Sequence, residues 1–456
     1  MSSKLLRGFE RAAFDKARPI YVAREDSKET PEGAPESLAA LARANGFAGE
    51  AGVVLANDDG VLLGGGDGGD PFVYAACAER LPEGDFRIAD KLDSDSATLA
   101  CLGWLLGGYR FDRYKTQKPA TARLVAPENA DVTAATRAAD GVRLTRDLVN
   151  TPAADMLPAA LEDAARELAD SHGGEVDVIA GDDLPAQNFP MVHAVGRAAD
   201  AAPRLIDLSW GRSDAPKLTL VGKGVCFDSG GLNLKNAAGM ALMKKDMGGA
   251  AHALALAQMI MAAGLDVRLR VLIPAVENAV SGRAYRPGDI LESRKGLTVE
   301  IGNTDAEGRL ILADALCCGA EESPELLISL ATLTGAARIA LGPELAPFYS
   351  DDDGLAEALN AAAGRVHDPV WRMPLWRGYD SMLSSTIADV NHISGGAFAG
   401  SVTAALFLKR FVPDAVPWIH FDIFAWRPKA LPGRPVGGEA QAIRALFEVL
   451  AARYAA

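Results

Sequence analysis

Two short stretches of this 456-residue chain concentrate residue types able to do chemistry together. The first, VGKGVCFDSGGLNLKNAAGMALMKKDMGGA at 221–250, carries Lys223, Asp228, Lys235 and Asp246. The second, NTDAEGRL at 303–310, carries Asp305, Glu307 and Arg309. Taken singly, each of these residues reads as solvated charge or half of a weak surface pair. Together they are four carboxylates and three cations among glycine-rich turns, and four carboxylates cannot share a buried cleft unless cations neutralise them. Two divalent ions at bridging distance would do so, and such a centre suits attack of water on a carbonyl or phosphoryl group. Oxygen ligands favour Mg²⁺ or Mn²⁺, and Zn²⁺ also accepts carboxylates. A lysine beside such ions can lose its proton and coordinate as a neutral amine. Spacing alone therefore leads to a metal-dependent hydrolase.

The elements around these stretches say how they are held. The strand LTLV runs into Gly-Lys-Gly, so Lys223 stands where a strand ends, and Asp228 follows beside Ser229-Gly230-Gly231, where the backbone turns sharply. Asp246 precedes the small residues that open a helix, facing the positive end of its dipole. The strand LTVEIG leads into NTDAEGRL, and alternation predicts that 305, 307 and 309 share one side of an extended segment. From about residue 146 onward β-rich runs (RLIDLSW, KLTLVGKG, VRLRVLIPAV, LLISLATL, WIHFDIF) alternate with long helical patterns at 248–264 and 308–322. That alternation predicts an α/β domain with a mostly parallel sheet covered by helices on both faces, with the site at the carboxyl ends of its strands. Residues 1–145 form a smaller N-terminal α/β domain, with strand patterns at 53–56, 61–64 and 122–126 and helices at 97–109 and 131–148. VNTPAADMLP at 149–158 is the linker signal, and 146–456 the catalytic domain. The tract GGGDGGD at 64–70 lacks the GK[ST] ending of a phosphate loop and reads as a turn.

These motifs closely resemble the leucyl aminopeptidases (cytosol aminopeptidases, the M17 peptidase family). NTDAEGRL is that family's signature octapeptide, and VGKG…FDSGG…LK…KKDMGG matches its metal-binding stretch in residue type and spacing. VNTPAADMLP is similar to its interdomain segment and LATLTGA at 330–336 to its substrate-cleft loop. The resemblance covers about residues 145–430 and implies roles residue by residue. Lys223, Asp228, Asp246 and Glu307 would hold the more exchangeable metal and Asp228, Asp305 and Glu307 the other, as Mn²⁺ or Zn²⁺, with Mg²⁺ or Co²⁺ as further options. Lys235 would stabilise the oxyanion. Arg309 would hold a bicarbonate serving as general base, helped by backbone near Ala306, Gly308 and Leu333. Met243, Thr332 and Gly335 match positions lining the side-chain pocket. HFDIFAW at 420–426 places Phe424 where many members have a small residue, which puts leucine preference in doubt, and Asn236 stands where a proline commonly follows the lysine. The HFDIFAW pattern sets the chain nearer the bacterial peptidase B-like branch. Family members are hexamers acting on peptides, so a homohexamer is the implied assembly.

Composition narrows the field further. With 46 Lys+Arg against 60 Asp+Glu the formal charge is −14, which disfavours nucleic acid and anionic membrane as partners. Five scattered cysteines without a CxxC pair point to reduced thiols in a cytoplasmic protein, and the opening MSSKLLRGFERAAF has no apolar signal region. The six histidines are isolated, His252 reads as a packed core residue, and neither HExxH nor GxSxG occurs. Three other readings remain at this point: a narrow Cys-Gly-type dipeptidase with the same chemistry, a DNA-binding architectural role, and an inactive structural homologue. SGGAFAGSVTAA at 394–405 is rich in small residues and fits close packing at a subunit contact.

Overall fold

A computed structural model describes residues 4–25 and 31–455; Met1–Ser3, 26–30 and Ala456 lie outside the described residues. The chain divides into two compact units. The first comprises Met1–Arg143 together with Arg365–His367 and Arg427–Val436; the second comprises Leu144–Gly364, Asp368–Trp426 and Gly437–Ala456. Two short returns of chain thus belong to a unit otherwise built from the N-terminal third, which no linear reading of the sequence anticipates.

The first unit is built on a six-stranded sheet of β1 (Leu6–Arg7), β2 (Arg18–Ala23), β3 (Val54–Asn57), β4 (Gly60–Gly64), β5 (Gly84–Ile88) and β6 (Ala122–Val125), in the order β1-β6-β5-β2-β4-β3. Only the β3–β4 hairpin is antiparallel. The helices at Ser94–Gly107 and Val132–Asn150 fall where the apolar pattern places them.

The second unit holds a nine-stranded sheet. In chain order its strands are β7 (Glu175–Ala180), β8 (Arg204–Trp210), β9 (Lys217–Gly222), β10 (Gly224–Asp228), β11 (Arg268–Asn278), β12 (Leu326–Ala331), β13 (Ala346–Ser350), β14 (Val370–Arg372) and β15 (Trp418–Asp422). Its centre, β11-β9-β12-β15, is parallel throughout, with β10 continuing β9 on the far part of β11, while β7 and β8 run antiparallel to their neighbours and β13 runs antiparallel to β15 but parallel to β14. β12 and β15 are buried at every residue, as largely apolar strands in a sheet covered on both faces are. The helices Pro158–His172, Gly248–Ala263 and Ile443–Tyr454 pack as one layer, and Pro190–Gly196, Glu307–Glu321 and Gly400–Lys409 as another. Leu310, Ile311, Leu312, Val221, Leu272 and Phe407 meet in the core beneath the second layer.

The register sets up the site. β9 ends at Gly222 opposite Leu330 of β12, Ala331 of β12 pairs with Asp422 of β15, and Asp228 at the end of β10 pairs with Asn278 at the end of β11. Lys223, Asp228, Thr332 and Asp422 therefore emerge at one edge, the carboxyl ends of the parallel strands. The strand before NTDAEGRL departs from the expected plan. Only Thr298–Glu300 is extended, and it joins a separate three-stranded sheet with Ile290–Glu292 and Val390–Asn391.

Candidate metal-dependent active site

Backbone turns carry the two chemical stretches to each other. After Asp228 the chain reverses through Gly230 (φ +88°) and Gly231 (φ +63°), conformations that side chains rarely adopt. A Cβ on Gly230 would also lie 2.9 Å from Asp305 Oδ1, so the turn and the second stretch are in near contact. Thr304 ties them: its hydroxyl donates to the Gly230 carbonyl (2.7 Å), and its N–H donates to Asn233 Oδ1 (2.9 Å). The Asn278 amide donates both to Asp228 Oδ1 (2.8 Å) and to the Thr304 carbonyl (3.0 Å), and the Tyr285 hydroxyl donates to that same carbonyl at 2.7 Å. Asn278 and Tyr285 are invisible to motif reading, yet they fix the spacing of the two carboxylate-bearing turns.

The segment 305–309 is not extended. Asn303 accepts the Asp305 N–H through its side chain (2.8 Å), Thr304–Ala306 forms a 3₁₀ turn, and Glu307 begins the helix Glu307–Glu321. The expectation that 305, 307 and 309 share one side of a strand is therefore corrected. A cap followed by a helix start, where Asn is favoured, overrides the alternation. Gly308 is required here because a Cβ would lie 2.4 Å from Lys223 Cε. Gly249 is required on the other side, where a Cβ would meet the Leu330 carbonyl oxygen at 2.1 Å.

The result is a buried charge network. Lys223 Nζ lies 2.7 Å from Asp246 Oδ2 and 2.9 Å from Glu307 Oε1, and donates to the Thr332 carbonyl at 3.0 Å. Lys235 Nζ lies 2.8 Å from Asp228 Oδ2 and also pairs with Asp305 Oδ1. Burial works against the charged form of Lys223, but Asp246, Glu307 and Asp228 outweigh it and hold its pKa well above the ordinary lysine value. Lys235 is held up in the same way, chiefly by Asp228. Burial and the neighbouring Asp228 push Glu307 up to about 8, and burial and Asp246 raise Asp228. Asp246 stays low against its burial because Lys223 and Lys245 adjoin it.

These residues fit a cation. Asp228, Asp305 and Glu307 each offer a carboxylate oxygen within 4.8 Å of the others. Asp246 Oδ2 and Asp305 Oδ1 are buried without an aligned hydrogen bond, although an ammonium group stands close to each. Buried anionic oxygens lacking directed donors are what a metal ion satisfies.

A cavity of about 340 Å³ opens over the network. Its wall includes the five expected ligands, Lys235, Met243, Thr332, Leu333, Gly335 and Phe424. Ala306, Gly308 and Arg309 are not among the wall residues. Arg309 is buried, donates to the His392 carbonyl (2.7 Å) and keeps Nε without a partner among the described residues; burial lowers it to about 10. His392, isolated in sequence, is held neutral by burial and the adjacent Arg309, bridging Gly302 N–H and the Asn303 carbonyl. The Leu333 N–H is spent on Asp422. Thr332 donates to Asp246 Oδ1 at 2.8 Å, so it orients a candidate ligand as well as lining the pocket.

Other readings of single residues also resolve. The Ser229 hydroxyl donates to the Asn278 carbonyl (2.7 Å), a turn contact with no general base. His252 is fully buried between the Gly248 carbonyl (2.6 Å) and the Gln441 N–H (2.9 Å), a packed neutral histidine. All five cysteines are free, and no helix among the described residues is long and apolar enough to cross a membrane. Three charged wall residues went unassigned in the sequence: Lys245, Arg338 and Asp422. Asp422 ends β15 within the quoted HFDIFAW, and strand-end position was the available signal.

Comparison with known proteins places this geometry. A family model for the cytosol aminopeptidase family catalytic domain (Peptidase M17) matches residues 143–447, and one for the M17 aminopeptidase N-terminal domain matches 20–127. The chain belongs to the M17 cytosol aminopeptidase family. It is accordingly a metallo-aminopeptidase, a hydrolase of two α/β domains. A probable cytosol aminopeptidase of Syntrophotalea carbinolica is 43% identical over 366 residues, 76% of this chain and 73% of that protein. One from Roseiflexus castenholzii is 42% identical over 399 residues, 83% and 79% of the two chains. The crystal structure of a Coxiella burnetii cytosol aminopeptidase superposes with a TM-score of 0.91 at 45% identity, covering 99% of both chains. The bottromycin maturation enzyme BotP in complex with Mn superposes at 0.85 with 34% identity, covering 96% of this chain and 99% of that one.

Proposed function

We propose that this enzyme is a dinuclear metal aminopeptidase that releases N-terminal residues from peptides in the cytoplasm, working as a homohexamer. The observation that carries the reading is the convergence of Lys223, Asp228, Asp246, Asp305 and Glu307 with Lys235 in one walled cavity. Lys223, Asp228, Asp246 and Glu307 would hold one ion, and Asp228, Asp305 and Glu307 the other, with Mn²⁺ or Zn²⁺ as the expected metals. Such ions, when bound, lower the pKa of a water nucleophile and polarise a carbonyl. The chain's own residues do the rest. Lys235, kept cationic by its carboxylate neighbours Asp228 and Asp305, stands on the cavity wall, where its ammonium would stabilise the oxyanion of the scissile carbonyl. A bicarbonate held as general base near Ala306, Gly308 and Leu333 is the role the family resemblance implies for Arg309, and its unpartnered Nε among the described residues supports it, although Arg309 lies behind the cavity wall and the Leu333 N–H is held by Asp422. Asp246 is placed to receive the substrate's α-amino group, which restricts attack to the first residue. Support for assembly comes from Ile339 and Phe398, 85% and 81% exposed on the catalytic unit, apolar surface of the kind subunit contacts cover.

The test is hydrolysis of aminoacyl amides and dipeptides by protein stripped of metal and resupplied with Mn²⁺, Zn²⁺, Mg²⁺ or Co²⁺, with light scattering for the oligomer. Metal-dependent release of N-terminal residues by a particle six times the chain's mass is expected. A well-folded oligomer inactive with every metal overturns the catalytic reading.

A further inference from the structure

We propose that the cavity of the N-terminal unit is a second, non-catalytic site that binds a free amino acid with a large apolar side chain, its ammonium on Asp90 and its carboxylate on Arg24. The topology places this cavity. From β2 the chain goes first to β3 and β4 on one side and then to β5 and β6 on the other, and β2 is parallel to both β4 and β5. The carboxyl ends of β2 and β5 therefore form a switch point, the crevice in which open α/β sheets take their ligands. The cavity, about 530 Å³, is walled by residues of this unit, among them Val22 and Arg24 at the end of β2, Gly65 after β4, and Asp90 and Leu92 after β5.

Most polar groups on the wall are already committed. Asp70 pairs with Arg434 and accepts the Phe72 N–H (3.0 Å), and the Ser96 hydroxyl donates to Asp93 (2.9 Å). The N–H groups of Gly65, Gly68 and Gly69 go to the Ala23 carbonyl, the Gly65 carbonyl and the Asp67 side chain, which leaves no cradle for a phosphate. Asp90 differs. It is half-buried, and among the described residues it accepts only the Val22 N–H, at a long 3.4 Å, and pairs with no cation; burial raises its carboxyl accordingly. Arg24 also has neither a hydrogen bond nor an ion pair among the described residues, and its guanidinium lies against Gly68, where a Cβ would stand 3.1 Å from Cζ. The two charges are not paired with each other, so one molecule carrying an ammonium and a carboxylate satisfies both. Val22, Val73, Leu92 and Leu99 supply apolar wall for its side chain. A dipeptide offers the same charges but is consumed as substrate, whereas the amino acid released from it persists; for this choice alone the proposal rests on the aminopeptidase reading.

The test is calorimetric titration of the Mn²⁺-supplied enzyme with phenylalanine, and with phenylethylamine and phenylpropionate, which lack the carboxylate and the ammonium in turn. Phenylalanine should bind a site that Asp90→Asn and Arg24→Met each weaken by roughly 10- to 100-fold, the range of a charged hydrogen bond. Both variants should hydrolyse peptides with the kcat and KM of the wild type, which sets this site apart from product binding in the catalytic cavity. The amine should bind more weakly than phenylalanine and be indifferent to Arg24→Met, and the acid should be indifferent to Asp90→Asn. Titrations that are the same in the wild type and both variants, whether they show no binding or binding in the catalytic cavity alone, overturn the proposal and leave the aminopeptidase reading intact. Phenylethylamine binding as tightly as phenylalanine overturns it in favour of a plain amine site. Absence of peptide hydrolysis in the wild type overturns the aminopeptidase reading, while phenylalanine binding that both variants lose still establishes the second site.

Discussion

Each unit has a cavity near the carboxyl ends of parallel strands, and the larger is not the catalytic candidate. The N-terminal cavity measures about 530 Å³ and is walled by Val22, Gly65, Gly68, Tyr74 and Asp90 among others; that of the catalytic unit measures about 340 Å³. The glycines differ as much as the volumes. In GGGDGGD the N–H groups of Gly65, Gly66, Gly68 and Gly69 are all donated within the loop and its neighbours, so the tract keeps none of these donors for a ligand. In the catalytic unit Gly249 and Gly308 exist to let Lys223 approach the backbone and the carboxylates. A glycine-rich turn beside a cavity therefore says little. Glycine packed against buried, mutually neutralising charge says a great deal.

The sharpest way to break this contrast is to remove a charge from the catalytic network. Asp305→Ala and Lys235→Ala should each reduce kcat/KM by at least about 10²- to 10³-fold, the scale of losing one preorganised electrostatic group. Circular dichroism should show the fold retained, because both side chains sit at the cavity rather than in the core. Activity near wild type in either variant would mean that the network is structural. Chelation should act on the same network by another route. Activity should vanish, return with Mn²⁺, and be accompanied by a metal-dependent rise in Tm, since an ion that binds only the folded state stabilises it by mass action.

A third comparison sets one glycine against another. Gly308→Ala must displace Lys223 and should cost about 1–3 kcal/mol of stability as overpacking, together with most of the activity. Gly69→Ala, whose added carbon meets only the Asp67 side chain at 3.2–3.8 Å, should stay within about 0.5 kcal/mol. Denaturant melts of the two variants measure both. Equal penalties would erase the distinction between the two clefts.

The sequence carried the large outlines because they rest on strong periodicities. The largely apolar runs of β12 and β15 pointed to a sheet covered on both faces, and Gly248–Ala263 began where Asp246 and the small residues placed it. The motif residues are legible because several charged types recur within few positions. What stayed hidden depends on partners distant in sequence. Asn278 and Tyr285 fix the carboxylate turns from 50 residues and 19 residues away in the chain, and nothing in their own neighbourhoods marks them. Lys245 looked like one of two ordinary lysines in KKDMGG. Both lysines are lowered by burial and each faces an aromatic ring; Lys244 spends its ammonium on the Asn150 carbonyl (2.6 Å), whereas Lys245 is on the cavity wall, a difference only the fold reveals. The strand alternation at 305–309 failed because the Asn303 cap starts a helix there, a case of local capping chemistry overriding periodicity.

The smallest expected effect concerns the one carboxylate of the N-terminal cavity whose charge is disfavoured. Asp90 is raised above its ordinary pKa, mainly by burial, although the Val22 N–H opposes this. A raised folded pKa means that the folded state holds the proton more tightly than the unfolded chain. Stability contributed by that proton is present in full below the unfolded value and declines as pH rises through the folded value. Asp90→Asn keeps the shape and an acceptor for Val22 while removing the charge. It should therefore raise Tm slightly at pH 7, by no more than about 2 °C given the group's partial exposure, and leave Tm unchanged at pH 3, where the wild-type carboxyl is protonated in both states. Activity on peptides should not change at either the level of kcat or of KM. A large loss of activity in this variant would show that the N-terminal cavity takes part in catalysis, and the contrast between the two clefts would have to be redrawn.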